Sequence, residues 1–321
     1  MKVCIGYQSA LEYWRICRVM PYDRTIGRRD LILPSALPAA KLARSSGLAL
    51  PLHIMLKNPQ YRWQSMEVVQ HVFSGEMPAG CFIGAKNGFG ISSPEFCFLQ
   101  MAGILSLPKL IELGYELCGR YSLPTANDLN IPDNGYYSRP PLSSVKQLSA
   151  FIAHMPGFKG HKKAVRALRY ILEDSASPME TKLAMVLTLP YKLGGFGLPK
   201  PELNAHIVPK KGNLRTTGKG FYACDLFWPD KKIAVEYDSN LFHTGSTHIA
   251  NDSKKRNSLI SMGITVITIT TLQIYDVVEL EKAARVIANC IGKRIAYKNP
   301  GFADAHNDLR RILQVESGWD Q

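Results

Sequence analysis

The stretch "FYACDLFWPDKKIAVEYDSNLFH" occupies residues 221–243 and decides how the C-terminal half of the chain is read. Residues 221–229 and 233–238 are apolar, aromatic and β-branched, and they flank the short polar run Asp230-Lys231-Lys232. That pattern predicts two strands joined as a β-hairpin. The side-chain period of a strand is two. Glu236 and Asp238 therefore share one face with Ala234, while Ile233, Val235 and Tyr237 take the other. On the preceding strand Asp225 shares a face with Ala223 and Phe227, so the hairpin brings Asp225 beside Glu236 or Asp238. Close carboxylates raise one another's pKa, and burying them unpaired costs several kcal/mol. Either Lys or Arg at the sheet edge pairs with them, or a divalent cation does. Mg²⁺ is the cation suited to hard oxygen ligands.

Outward from the hairpin, the elements alternate. Residues 161–174 and 176–190 read as helices, the first with a basic face of Lys162, Lys163, Arg166 and Arg169. Ser177 and Pro178 form a helix start signal for the second. Residues 202–208 read as a strand, 249–263 as a helix, 264–270 as a β-branched strand, and 276–295 and 303–314 as helices. Helices and strands in that order predict an α/β sandwich around a mixed sheet. The length of 321 residues predicts two domains, 1–145 and 146–321, the first a smaller α+β domain. In it, 4–20 reads as a helix, 48–57 as a strand, and 91–105 as a helix started by Ser93 and Pro94. Residues 107–119 read as a further helix that Gly114 weakens. The Pro-, Asn- and Asp-rich run 123–144 reads as the loop or linker that ends the first domain.

Composition narrows the class. Net charge is +13, and residues 156–321 carry 24 Lys and Arg against 16 Asp and Glu. Such an excess favours a polyanionic partner, with a merely basic surface as the alternative. Lys162, Lys163, Arg166, Lys210, Lys211, Arg215 and Lys219 are the candidate phosphate contacts. Seven cysteines stand singly with no CxxC pair, which fits reduced thiols and argues against zinc. No apolar run is long enough to span a bilayer and the N-terminus has no signal-peptide pattern, so a cytoplasmic location without membrane contact is expected. "GNLRTTGKG" (212–220) lacks P-loop spacing and precedes a strand.

The combination "YACDLFWPDKKIAVEYDSNLFH" followed by "NDSKKRNSLISMGITVITIT" (251–270) resembles the very-short-patch-repair-like branch of the PD-(D/E)XK endonuclease superfamily. That pattern is Asp on one strand, Glu-x-Asp on the next, a His soon after, then Asp-x-x-x-Arg opening a helix before another strand. Asp225, Glu236, Asp238, His243, Asp252 and Arg256 occur in that order, and "SPMETKL" (177–183) matches the family's leading helix with Glu180 as its acid. The likeness covers about residues 156–290. It implies a restriction-endonuclease-like fold and Mg²⁺, with Mn²⁺ as a substitute, held by Asp225 and Glu236 with Asp238 and Glu180 completing or orienting the site. It implies His243 as general base or as the holder of the attacking water, and Asp252 and Arg256 as supporting residues. Classical members have Glu-x-Lys; Asp238 stands at the lysine position, as in the very-short-patch branch, and Ser239 stands where relatives commonly have glycine.

Residues 50–78 and 90–102 are loosely similar to the region preceding such domains and to abortive-infection antitoxin-type proteins, with no catalytic residue carried across. Tyr61, Arg62, Trp63 and His71 form either an aromatic–basic surface or ordinary core and rim. The functional expectation is a bacterial Mg²⁺-dependent endonuclease acting on DNA in repair or defence. The alternative is an inactive nuclease-fold DNA-binding regulator or antitoxin-like protein. RNA, a toxin–antitoxin partner and a homodimer partner remain open.

Overall fold

The structure is a computed structural model. It describes residues 3–17, 39–84, 89–208, 221–238, 246–297 and 301–314, without the side chains of 39, 40, 42, 45 and 246–252. The chain forms two compact units, Met1–Ile171 and Leu172–Gln321. Both mix helices and strands, an α/β class. The division falls later than the expected 145/146 boundary, and the first unit is the longer one.

The reason lies in three segments. Helix α4 (Leu107–Cys118) leads into strand β6 (Tyr121–Ser122), which pairs with β7 (Tyr137–Ser138). The expected linker is therefore part of the first unit. Arg139 secures it: Nε donates to Tyr121 O at 2.8 Å and Nη2 to Glu116 O at 2.9 Å. Helices α5 (Val145–Ala153) and α6 (His161–Leu168) then pack on α4 and on α3 (Pro94–Ala102). Gly114 is used as a packing hollow: a Cβ there would lie 2.2 Å from Ile171 Cδ1.

The first unit is built on a five-stranded sheet. Its strands are β1 (Cys4–Ile5), β2 (Leu52–Leu56), β3 (Val68–Val72), β4 (Phe82–Gly84) and β5 (Gly90–Ser92), in the order β3-β2-β1-β5-β4. The expected helix over 4–20 is instead β1 followed by α1 (Tyr7–Ile16), and α2 is Ala39–Ser46. Ser93 caps α3 as its sequence predicts, accepting from Phe96 N at 3.2 Å.

The second unit opens with α7 (Pro178–Thr188), again capped by its serine: Ser177 Oγ accepts from Glu180 N at 3.1 Å. Strands β8 (Glu202–Ile207), β9 (Tyr222–Trp228), β10 (Ile233–Asp238) and β11 (Thr265–Thr270) form a mixed sheet in the order β11-β10-β9-β8. The predicted hairpin is present, closed by a 3-10 turn over Pro229–Lys231 and by Lys232 at φ +52°. Helix α8 (Ser246–Ser261) lies between the parallel neighbours β10 and β11 in the chain, as a parallel pair requires. Its Leu259, with Ile264, closes over Tyr222, Cys224 and Ala234, all buried. Helices α9 (Thr271–Tyr275), α10 (Val277–Ile291) and α11 (Phe302–Leu313) follow. Ile233, Ala234 and Val235 are buried on both faces of the sheet, which is why β10 reads as a continuous apolar run up to Glu236.

Candidate functional site

Two irregularities meet at one level of the second sheet. The β9–β10 register is recorded as far as Val235 opposite Leu226. Two residues on, the Tyr237 backbone N–H donates to Asp225 Oδ2 at 2.7 Å. On the other side of β9, the pairing runs from Glu202 opposite Phe227 to Ile207 opposite Tyr222. Within it, Asn204 lies level with Asp225 and takes a left-handed φ of +47°. Asn accepts that conformation more readily than most residues. Its side chain bonds locally: Nδ2 donates to Asp174 O at 2.9 Å and to Glu180 Oε2 at 2.7 Å.

Glu180, in the first turn of α7, is held from three directions. Besides Asn204, the Ala176 N–H donates to Oε2 at 2.9 Å and Ser177 Oγ to Oε1 at 3.0 Å. It is buried, and burial followed by the charge of Asp225 raises its pKa despite those donors. Asp225 is raised by burial as well, with the Tyr237 N–H and Lys255 pulling the other way.

Glu236 lies on the same face of β10 as Ala234, toward α8, where Lys255 Nζ donates to its Oε2 at 2.6 Å. Its other oxygen, Oε1, is buried and, among the described residues, meets no N–H or O–H donor, the Cys224 thiol being the weaker donor beside Glu236. Burial and then the Asp225 charge push the Glu236 carboxyl up to about 7, against the pull of Lys255. The Cys224 thiol beside it is raised by burial and by Glu236. Burial works against the Lys255 ammonium, but the Glu236 charge and hydrogen bond raise its pKa on balance.

Of the residues named from sequence, the structure brings Glu180, Asp225 and Glu236 together. Asp238 ends β10 level with Thr270 and is partly exposed. Arg256 is exposed on α8 and makes no part of the cluster described above. His243, Lys210, Lys211, Arg215, Lys219 and the side chain of Asp252 lie outside the described residues. Lys162 and Arg166 are exposed on α6, which belongs to the first unit. Lys163 is engaged locally, its Nζ donating to Leu105 O at 2.6 Å.

Sequence reading passed over Lys255 and Asn204. Lys255 sits in the charged run Lys254-Lys255-Arg256, which reads as a solvated helix face. Its signal was spacing: it stands four residues before the fully buried Leu259, on the face that a helix of that period turns to the core. Asn204 carries no periodic signal, because its role depends on a backbone angle.

Asp225 and Glu236 supply hard oxygen donors, and the buried Oε1 of Glu236, which among the described residues lacks an N–H or O–H donor, is an atom that a cation would satisfy. Among the described residues no group of three or more His, Cys, Asp or Glu is arranged to hold a metal ion. Mg²⁺ usually takes one or two protein carboxylates and completes its shell with water and substrate oxygens, so the pair of acids fits it.

Two proteins of Mycobacterium tuberculosis, from strains CDC 1551 and H37Rv, are similar to this chain; both bear the description "uncharacterized protein". Each is 27% identical over 118 residues, covering 37% of this chain and 39% of the relative. The chain thus spans well under half the length of the relatives it matches. No family model matches the chain. No solved structure matches it. Among the described residues no helix is long and apolar enough to cross a membrane.

Proposed function

We propose that the second unit is an endonuclease-like domain that hydrolyses DNA phosphodiester bonds with Mg²⁺. The observation that carries the reading is the convergence of Glu180, Asp225 and Glu236 at one interrupted level of the sheet. They come from a leading helix, a first strand and its hairpin partner, the order that the resemblance implies. Asp225 and Glu236 would hold the metal, and Glu180 would orient the Asp225 side of the site. When bound there, Mg²⁺ polarises a phosphoryl group and lowers the pKa of a water molecule. Lys255 fixes one oxygen of Glu236 and supplies a positive charge beside it. His243 keeps the general-base role on the strength of the resemblance alone.

The test is a nuclease assay on DNA and RNA substrates with and without Mg²⁺ or Mn²⁺. Cleavage should require the metal and vanish in Asp225→Ala and Glu236→Ala while the circular dichroism spectrum is retained. Undiminished cleavage in either variant overturns the assignment.

One observation favours a second reading. Lys255 already neutralises Glu236 without a metal, as in a site that has kept its fold and lost turnover. Salt-dependent DNA binding with no cleavage under any divalent ion selects that reading, an inactive DNA-binding or antitoxin-like protein.

A further inference from the structure

The first unit carries a surface feature that the acid cluster does not use. Strand β3 is the outer strand of its sheet and runs parallel to β2. Residues 57–67 connect the two, and this connection is anchored in place. Asn58 Oδ1 accepts from Gln60 N at 3.0 Å and starts the 3-10 turn Pro59–Tyr61. Gln70, on β3, grips the backbone of Trp63 with both ends of its amide. Its Nε2 donates to Trp63 O at 2.6 Å and its Oε1 accepts from Trp63 N at 3.1 Å. The indole is thus presented by a backbone fixed independently of the side chain.

Beside it lies an open cleft of about 580 Å³, lined among others by Arg62, Trp63, Ser65, Met66, Val68 and Gln70. Among the described residues no acidic side chain lines it. Met66 is 98% exposed and Tyr61 48%. Arg62 also lies near enough to His71 for its charge to bear on that ring, which stacks on Tyr7 at 3.6 Å between centroids. An indole on an anchored backbone, an exposed guanidinium and hydrogen-bonding amide and hydroxyl groups in one cleft match the chemistry of a nucleotide. Indole and guanidinium planes stack on a base, and the cation meets its phosphate. The volume falls within the range of small-ligand clefts. Bases inside a duplex present no free face, so the ligand has to be unpaired.

We infer that the cleft beside Trp63 is a stacking site for an unpaired nucleotide of a DNA strand. The inference rests on the nucleic-acid reading of the second unit and adds a preference for single-stranded or frayed substrate. It gives the first unit a binding role that does not depend on the acids.

The test measures fluorescence anisotropy of a labelled oligothymidylate, and of a duplex of equal length, on the full chain in EDTA. Trp63→Ala should weaken oligothymidylate binding by about 10-fold or more, the scale of one lost base–aromatic stack, and Trp63→Phe should retain most of it. Duplex binding should be far less affected. Arg62→Ala should make the dependence of affinity on salt shallower by about one ion. Unchanged oligothymidylate affinity in Trp63→Ala, at an unchanged melting temperature, overturns the inference. So does equal weakening of single strand and duplex, which would mark the cleft as a general basic surface. If metal-dependent cleavage is still lost in Glu236→Ala, only the stacking site has failed. If the unaltered chain binds neither nucleic acid in EDTA but cleaves DNA with Mg²⁺, only the stacking site has failed; if it neither binds nor cleaves, both readings fall.

Discussion

Lys255 Nζ lies 2.6 Å from Glu236 Oε2, joining helix α8 to strand β10 across the face that also buries Leu259 and Ala234. The pair is only slightly open to solvent, with side-chain exposures of 31% and 17%. Removing the cation leaves a partly buried carboxylate beside Asp225. Lys255→Ala should therefore destabilise the fold by about 1–2 kcal/mol at mildly alkaline pH. At acid pH the loss should shrink, because Glu236 then carries a proton and needs no cation. Urea denaturation at the two pH values checks both statements.

The carboxyl of Glu236 is raised from 4.5 to about 7, so the native state holds its proton more tightly than the unfolded chain does. The stability this contributes is complete below the unfolded value and is lost as pH rises through about 7. Asp225 and Glu180 are shifted in the same direction and add to the slope. Without metal, the chain should lose stability between about pH 5 and pH 8, and Glu236→Gln should flatten that slope. Mg²⁺ should stabilise the unaltered chain more at the upper end of this range than at the lower. Thermal melts across pH, with Mg²⁺ and with EDTA, read out each part.

Asn204 donates to both Glu180 and the Asp174 carbonyl. Asn204→Ala removes these donors and places a less suitable residue in a left-handed conformation, at a cost of about 1–3 kcal/mol. Asn204→Gly should recover the backbone part alone, leaving it between the two in a thermal melt.

In the first unit, Arg15 Nε and Nη2 each donate to a different oxygen of the buried Glu116, at 2.9 and 2.7 Å. Glu116 also accepts from Leu123 N at 3.2 Å. Glu116→Ala leaves the guanidinium without its counter-ion and should cost about 3–5 kcal/mol. Burial opposes ionisation of Glu116, but Arg15 and Arg139 bring its pKa below the ordinary value. Its contribution is therefore present above 4.5 and lost as pH falls through the lowered pKa. The variant should thus cost less in acid than at neutral pH, in a denaturation series.

Gly114 faces Ile171 with no room for a methyl group. Gly114→Ala should destabilise by about 1–3 kcal/mol through overpacking, although alanine is the better helix former. A double variant with Ile171→Val should recover part of the loss in the same melts.

The elements most visible in the sequence were those whose signals are local. Ser93 and Ser177 announce their helices, and the apolar and aromatic runs on either side of Asp230 announce the hairpin. Strand period alone put Asp225 and Glu236 within reach of each other, and Glu180 followed from the resemblance. What stayed hidden depends on distant partners. Arg139 binds carbonyls 18 and 23 residues back, turning an expected linker into part of the first unit. Gly114 reads as a weak point in a helix until Ile171 is placed against it. Lys255 looks like one charge among three until Leu259 fixes which face of α8 is buried.

The left-handed turn at Asn204 bears on how this chain would respond to engineering. Asn204 is conformationally costly in a strand, and Asp225 and Glu236 resist burial while charged. A redesign guided only by thermal resistance would keep Asn204, which tolerates the left-handed angle and holds Glu180, and place apolar residues at 225 and 236. The hardiest version of this domain would be one stripped of Asp225 and Glu236, so natural retention of those two acids would be paid for in melting temperature.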